Sequence, residues 1–181
     1  FIKEMPIETA NQLVEEVGKL TGTYNPLTLV PELASASTGS IQAAPGVHVT
    51  NTLRLTKTLE HRLFRRLNSI TQLGIVSQVF PGAKHARREH SLGTYGNVCR
   101  MVRYLYEDAT SPLFRQMIQA QDICEVLLVA LLHDLGQFPL AHDLEDVDKS
   151  VFDHESLTQA MLKGEWRKAK AGSHRIVFEG L

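Results

Sequence analysis

The sequence has little cysteine and no long apolar run. Only Cys99 and Cys124 are present among 181 residues, and both lie within apolar helical patterns. Two such thiols are too few for a disulfide framework, so we expect a reducing, cytoplasmic setting. No apolar run reaches the roughly 20 residues that a membrane-spanning helix needs. The net charge is −1, and nothing in the sequence indicates nucleic acid or a membrane as a partner.

Charge is spread unevenly along the chain despite that small net value. Residues 54–103 carry ten Lys and Arg with two acids, whereas residues 121–155 carry nine acids with one Lys. The first block could attract phosphate, and the second could hold cations. For most of these charges taken singly, a solvated helix face is the simpler interpretation.

The composition, 43% hydrophobic and 22% charged, is typical of a globular domain. The first residue is Phe and not Met, so we expect a fragment of a longer protein. Apolar periodicity predicts a mainly α fold in three parts: an N-terminal helix and long loop (1–56), a helical core (57–163) and a basic tail (164–181). Helices are predicted at 7–20, 57–68, 88–107, 112–119, 123–135 and 154–163, and short strands within 21–56 and at 175–178.

The predicted helix at 123–135 is apolar nearly all round, which indicates burial on every side. Asp122 and Glu125 form a plausible capping pair at its start. The helix ends on His133 and Asp134, whose polar side chains are unsuited to packing in an apolar core. Imidazole and carboxylate groups on a rigid scaffold are a good choice for a divalent metal.

A second histidine, His90, begins the helical pattern at 88–107. His90 and His133 are far apart in sequence, so they meet only if the two helices pack side by side. If they do, His90, His133 and Asp134 would form one metal site. On spacing alone, a capping His90 and an ordinary helix-terminal His133 are equally compatible with the sequence.

Further polar groups follow the His-Asp pair, including Gln137, His142, Glu145 and His154. A histidine next to a metal-bound phosphate can transfer a proton or stabilise charge. Taken alone, His142 and His154 read more simply as exposed histidines in an acidic loop.

Three ordered segments together carry a resemblance that none carries alone: residues 80–93, 132–142 and 152–155. With the upstream stretches 63–67 and 71–74, they resemble the HD-domain phosphohydrolases. The match is to the deoxynucleoside triphosphate triphosphohydrolase branch, which includes the bacterial dGTPases and the SAM-and-HD-domain dNTPases. It covers roughly residues 57–163 and implies an HD-domain helical bundle.

The resemblance also implies an activity and its partners. The expected reaction is metal-dependent hydrolysis of a deoxynucleoside triphosphate to deoxynucleoside and triphosphate. The cofactor would be a divalent ion, with Mn, Mg, Fe, Zn and Ni not distinguished. A homo-oligomer and an allosteric nucleotide are implied in the same way.

The site roles are carried over only where the residues match. His90, His133 and Asp134 resemble three of the family's four metal ligands, and Arg87 resembles an arginine that contacts substrate phosphate. We expect Arg87 to act on phosphate and not as a structural ion-pair partner. The remaining matches are Gln72 and Leu73 at the deoxyribose, His142 and His154 around the phosphates, with His154 linked to catalysis, and Glu145 as a catalytic-site acid.

The sequence departs from the family pattern in two places. Gln137 stands where the family usually has a histidine, and an amide hydrogen-bonds phosphate but cannot shuttle a proton. The family's fourth ligand, an Asp well downstream of His154, has no counterpart in these residues. These departures favour one alternative, a weakened HD module that senses nucleotide within a larger assembly. A second alternative, a nucleotide phosphodiesterase or 5′-nucleotidase with the same metal site, stays open because the fold alone does not choose the substrate.

Overall fold

The computed structural model describes residue 16 and residues 24–34, 39–110, 112–140, 142–148 and 153–164. Most of the predicted helix at 7–20 lies outside these ranges, although Glu16 is helical and exposed. The predicted strand at 175–178 and the basic tail from residue 165 also lie outside them.

The described chain is mainly α, as the sequence predicts. In order, its elements are α1 (Pro26–Leu29), β1 (Ser40–Ala44), β2 (Val47–Thr50), α2 (Leu53–Glu60), α3 (Arg62–Arg65), a 3₁₀ turn (Arg66–Ser69), α4 (Val76–Val79), α5 (Arg87–Glu107), α6 (Pro112–Met117), α7 (Ala120–Leu132), α8 (His142–Val147) and α9 (His154–Leu162). Among the described residues, no helix combines the length and the apolar character needed to cross a membrane.

Helices α5 and α7 form the centre of the core. Leu92, Tyr95 and Cys99 of α5 and Ile123 and Leu127 of α7 are buried within one apolar cluster. Because the two helices pack side by side with opposite directions, the start of α5 lies beside the end of α7. This arrangement brings His90 close to His133.

The β-hairpin occupies part of the predicted long loop and covers one side of α5. Strands β1 and β2 are antiparallel, with Ile41 opposite Val49. Gly96 of α5 allows the hairpin to approach, since a Cβ there would lie 2.5 Å from Val47 Cγ1 and 2.9 Å from Val49 Cγ1. The short strands expected within 21–56 are therefore present, and their apolar side chains join the common core.

The prediction that α7 is buried on every side is wrong. Val126, Leu128 and Val129 are 48%, 55% and 67% exposed, so the helix buries only one face. The predicted capping pair is also wrong, because Asp122 itself accepts a hydrogen bond from the Gln119 backbone N–H at 2.9 Å. Periodicity failed here because the exposed face of α7 is as apolar as its buried face.

Candidate metal centre

Two helix termini supply the predicted metal-binding cluster. His90 lies in the first turn of α5, and His133 is the C-terminal cap of α7, followed at once by Asp134. Their ligand atoms all lie within 4.8 Å of one another. Asp134 Oδ2 is 3.5 Å from His133 Nε2 and 3.8 Å from His90 Nε2. The structure thus brings together three groups from two distant parts of the sequence.

The tautomer of His133 is fixed by the backbone of α7. Its Nδ1 lies 3.0 Å from the Ala130 carbonyl oxygen, which can only accept, so Nδ1 carries the proton. Nε2 then presents a lone pair toward Asp134, the arrangement that orients metal-binding histidines. Burial lowers the pKa of His90, opposed by the Asp134 carboxylate, so its ring also favours the neutral form that binds a metal.

The donor set fits a divalent ion. Two imidazole nitrogens and one carboxylate oxygen are ligands that first-row transition metals accept. The imidazoles of His90 and His133 are 37% and 34% exposed, whereas Asp134 is 5% exposed. A centre held by these three groups would be reached from solvent on the histidine side and would keep positions open for substrate.

The expectation that Arg87 is not a structural ion-pair partner is wrong. Its side chain is 1% exposed, and Nη1 donates to Asp134 Oδ2 at 2.7 Å. Its Nη2 donates to the Gln72 carbonyl at 3.2 Å. Glu89, the nearest acid in sequence, instead accepts from the Ala86 backbone N–H at the start of α5. The buried carboxylate of the candidate metal-binding cluster is therefore the partner of Arg87.

Gln72 and Leu73, the predicted sugar-contacting residues, lie beside this ion pair. The Gln72 N–H donates to the His85 carbonyl at 3.0 Å, and the Arg87 N–H donates to the Ile70 carbonyl at 2.8 Å. These two hydrogen bonds hold residues 70–72 against the start of α5. Leu73 is 43% exposed, and the amide oxygen of Gln72 is buried with no hydrogen-bond partner among the described residues.

His154 and Glu145 form a second side-chain pair beside Asp134. His154 Nδ1 contacts Glu145 Oε1, and that oxygen also accepts from the His154 backbone N–H at 3.1 Å. The other ring nitrogen, Nε2, lies 4.0 Å from Asp134 Oδ1. The imidazole is thus held by a carboxylate on one side and faces the metal-binding cluster on the other.

The structure describes the side chain of Gln137 but not that of His142. Gln137 is 0% exposed, and neither amide atom has a hydrogen-bond partner among the described residues. His142 begins α8, but its side chain lies outside the part of the chain that the structure describes. Gln137 therefore lies in the interior next to the site and not on an open surface.

Sequence reasoning missed two residues that hold the His-Asp turn. The Thr158 hydroxyl accepts from the Gly136 N–H at 2.8 Å and lies 3.3 Å from the His133 carbonyl. Arg66 Nη2 donates to the Leu135 carbonyl at 2.7 Å, and burial lowers the pKa of this guanidinium to about 10. The sequence around Thr158 gives no sign of this role, because the role depends on a contact with a residue 22 positions away.

This cluster at the junction of two antiparallel helices agrees with a phosphohydrolase of the HD-domain superfamily, the class that the sequence motifs resemble. No protein-family model matches the chain. Similar proteins do occur. The chain is 39% identical over 104 residues to the uncharacterized protein YwfO of Bacillus subtilis, and 29% identical over 124 residues to the putative HD domain-containing protein L394 of Acanthamoeba polyphaga mimivirus. It is 44% identical over 79 residues to the bovine deoxynucleoside triphosphate triphosphohydrolase SAMHD1.

These alignments cover 58%, 60% and 44% of this chain, but only 22%, 26% and 13% of the three relatives. The chain therefore spans less than a third of each relative's length. The resemblance to the HD-domain superfamily, and within it to the deoxynucleoside triphosphate triphosphohydrolase-like branch, is confirmed.

Proposed function

We propose that this protein hydrolyses deoxynucleoside triphosphates to deoxynucleoside and triphosphate at the His90, His133 and Asp134 cluster. One observation carries the proposal. A proton-transfer pair, His154 with Glu145, faces the same carboxylate that the three-residue cluster shares, with 4.0 Å between His154 Nε2 and Asp134 Oδ1. A metal ion held beside an oriented imidazole can supply the positive charge and the proton transfer that promote hydrolysis of a phosphate ester.

When bound, a divalent ion supplies positive charge that polarises a phosphate and favours ionisation of water. His90 and His133 would offer neutral nitrogens to that ion, and Asp134 would offer a carboxylate oxygen. The exposed side of the two imidazoles leaves room for the substrate α-phosphate. The bond that breaks joins the α-phosphorus to the sugar 5′ oxygen, and the bond that forms joins the same phosphorus to water oxygen.

His154 would move the proton in this reaction. The leaving 5′ oxygen must gain a proton, and the attacking water must lose one. Glu145 holds Nδ1 of His154, which directs Nε2 toward the cluster. An imidazole held in this way can transfer a proton to the leaving oxygen, a contribution of about 10²–10⁴ in rate.

The other matched residues would bind the substrate. Gln72 and Leu73 would contact the deoxyribose, because they are fastened next to the cluster by the bonds between residues 70–72 and the start of α5. His142 would approach the phosphates, and the buried Arg87 would add positive charge to the centre without touching the substrate. A homo-oligomer and an allosteric nucleotide belong to the proposal only through the resemblance.

A nucleotide-sensing module is the second candidate, and Gln137 favours it. An amide cannot titrate near neutral pH, and this one is fully enclosed. A site that binds nucleotide without turning it over would need no proton donor at this position.

Product identity tests the proposal and separates these candidates. Metal-loaded protein is incubated with each of the four dNTPs, and the products are resolved by ³¹P NMR. Triphosphate with free deoxynucleoside supports the proposal, whereas phosphate with a nucleoside diphosphate would contradict it. His154→Ala should abolish the products, and His48→Ala, an exposed histidine on β2, should not. Binding of dNTP without products would support the sensing module.

A further inference from the structure

Arg87 lies at the centre of the site but does not face solvent. Its side chain is 1% exposed, so in this arrangement the guanidinium offers no surface to a phosphate. Its two hydrogen-bonded groups point at Asp134 and at the Gln72 carbonyl. Arg87 can therefore affect the reaction through these two partners and through its charge, but not by direct contact with a phosphate at the surface.

The oxygen that Arg87 contacts is the one that faces both histidines. Asp134 Oδ2 accepts from Arg87 Nη1 at 2.7 Å and lies 3.5 Å from His133 Nε2 and 3.8 Å from His90 Nε2. A carboxylate oxygen has two lone-pair directions, so Oδ2 can accept from Arg87 and still face an ion between the histidines. Arg87 and a metal would therefore act on one oxygen.

We propose that Arg87 acts through Asp134: by pairing with Oδ2 it neutralises the charge of this carboxylate, so that the centre binds metal less tightly but remains strongly cationic. This inference rests on the proposed metal-dependent function. An ion of charge +2 held by two neutral imidazoles and one carboxylate would leave a net charge of +1. With the Arg87 guanidinium included, the same centre carries +2. The added charge favours a polyphosphate over a phosphate monoester.

The sign of the effect on metal affinity distinguishes this role from a merely structural one. If Arg87 only held the fold, its loss would disorder Asp134 and weaken metal binding. If its charge opposes the metal, a neutral replacement should strengthen binding. Charges a few ångströms apart in a partly buried site interact by several kcal/mol, enough for at least about a tenfold change.

The experiment compares three variants with wild type. Arg87→Gln removes the charge and keeps a hydrogen-bond donor, Arg87→Lys keeps the charge, and Arg88→Gln removes the neighbouring charge, for which no contact with Asp134 is seen among the described residues. Dissociation constants are measured by calorimetry for the metal that wild type retains most tightly among Mn²⁺, Fe²⁺, Ni²⁺ and Zn²⁺. Inorganic triphosphate is then titrated into each metal-loaded protein.

The expected result is metal affinity at least about tenfold tighter in Arg87→Gln, with triphosphate affinity at least about tenfold weaker. Arg88→Gln should stay at the wild-type values for both, and Arg87→Lys, which keeps the charge but not both hydrogen bonds, should lie closer to wild type than Arg87→Gln does. Weaker or unchanged metal binding in Arg87→Gln would overturn the inference while leaving the proposed function intact. Failure of wild type to bind any of the metals would overturn the proposed function itself. If Arg87→Gln does not fold, a tenfold gain in metal affinity in Arg87→Lys would still refute the role of charge.

Discussion

Thr158 on α9 accepts a hydrogen bond from the backbone N–H of Gly136 at 2.8 Å, which fastens the turn after the His-Asp pair to the helix that carries His154. Gly136 allows this approach because it has no Cβ. An added Cβ would lie 2.4 Å from both the His154 carbonyl oxygen and the Thr158 nitrogen. The turn that carries His133 and Asp134 and the helix that carries His154 are thus joined by a close backbone approach that tolerates only glycine.

Gly136→Ala should lower the free energy of unfolding by about 1–3 kcal/mol, since the new methyl group meets backbone atoms that cannot move independently. Gly93→Ala on α5 is the matched control. Its Cβ would lie 3.6 Å from that of Ala44, an ordinary contact, so this change should stabilise the helix by about 0.5–1 kcal/mol. Urea unfolding measures both. Equal effects of the two changes would show that the close approach is absent.

Thr158→Val should cost about 1–3 kcal/mol, because it leaves the buried Gly136 N–H without an acceptor while keeping the shape of the side chain. Thr158→Ser restores the hydroxyl and should recover most of the loss. The comparison is made by thermal unfolding of the three proteins. If the valine variant is as stable as wild type, another group satisfies Gly136.

Glu145→Gln should reduce triphosphate release by about 10²–10⁴, because an amide oxygen is a weaker acceptor than a carboxylate and holds the His154 ring less firmly in place. The metal content should not change, since the candidate cluster consists of His90, His133 and Asp134 and does not include Glu145. Asp146→Asn, an exposed acid in the same helix, removes the same charge and should have little effect. Unchanged rates in Glu145→Gln would remove this residue from the mechanism.

Gln137→His should raise the rate of triphosphate release, because the substitution supplies a titratable group where the family pattern has one. The two side chains are of similar volume, so the enclosed position should accept histidine. All four dNTPs are assayed with metal present. High wild-type activity that the substitution leaves unchanged would show that no proton donor is missing here, and no activity in either protein would favour the sensing module.

The sequence predicted the helices at 88–107 and 154–163 to within a residue or two, because each has one apolar stripe and clear termini. It also brought His90, His133 and Asp134 together as one candidate cluster. It could not predict the partner of Arg87, since an ion pair between residues 47 positions apart depends on how α5 and α7 pack. The exposed face of α7 was not predicted for a related reason. When leucine and valine lie on both sides of a helix, the sequence does not indicate which side packs against another element.

Metal content tests the central claim most directly. Wild type and His133→Ala are purified under identical conditions, dialysed against a divalent metal, and analysed by inductively coupled plasma mass spectrometry alongside circular dichroism. The account predicts one ion per chain in wild type, none in His133→Ala, and the same helical content in both, because the core residues Ile123, Leu127 and Leu131 of α7 do not depend on the imidazole. Full metal content in a folded His133→Ala protein would contradict it.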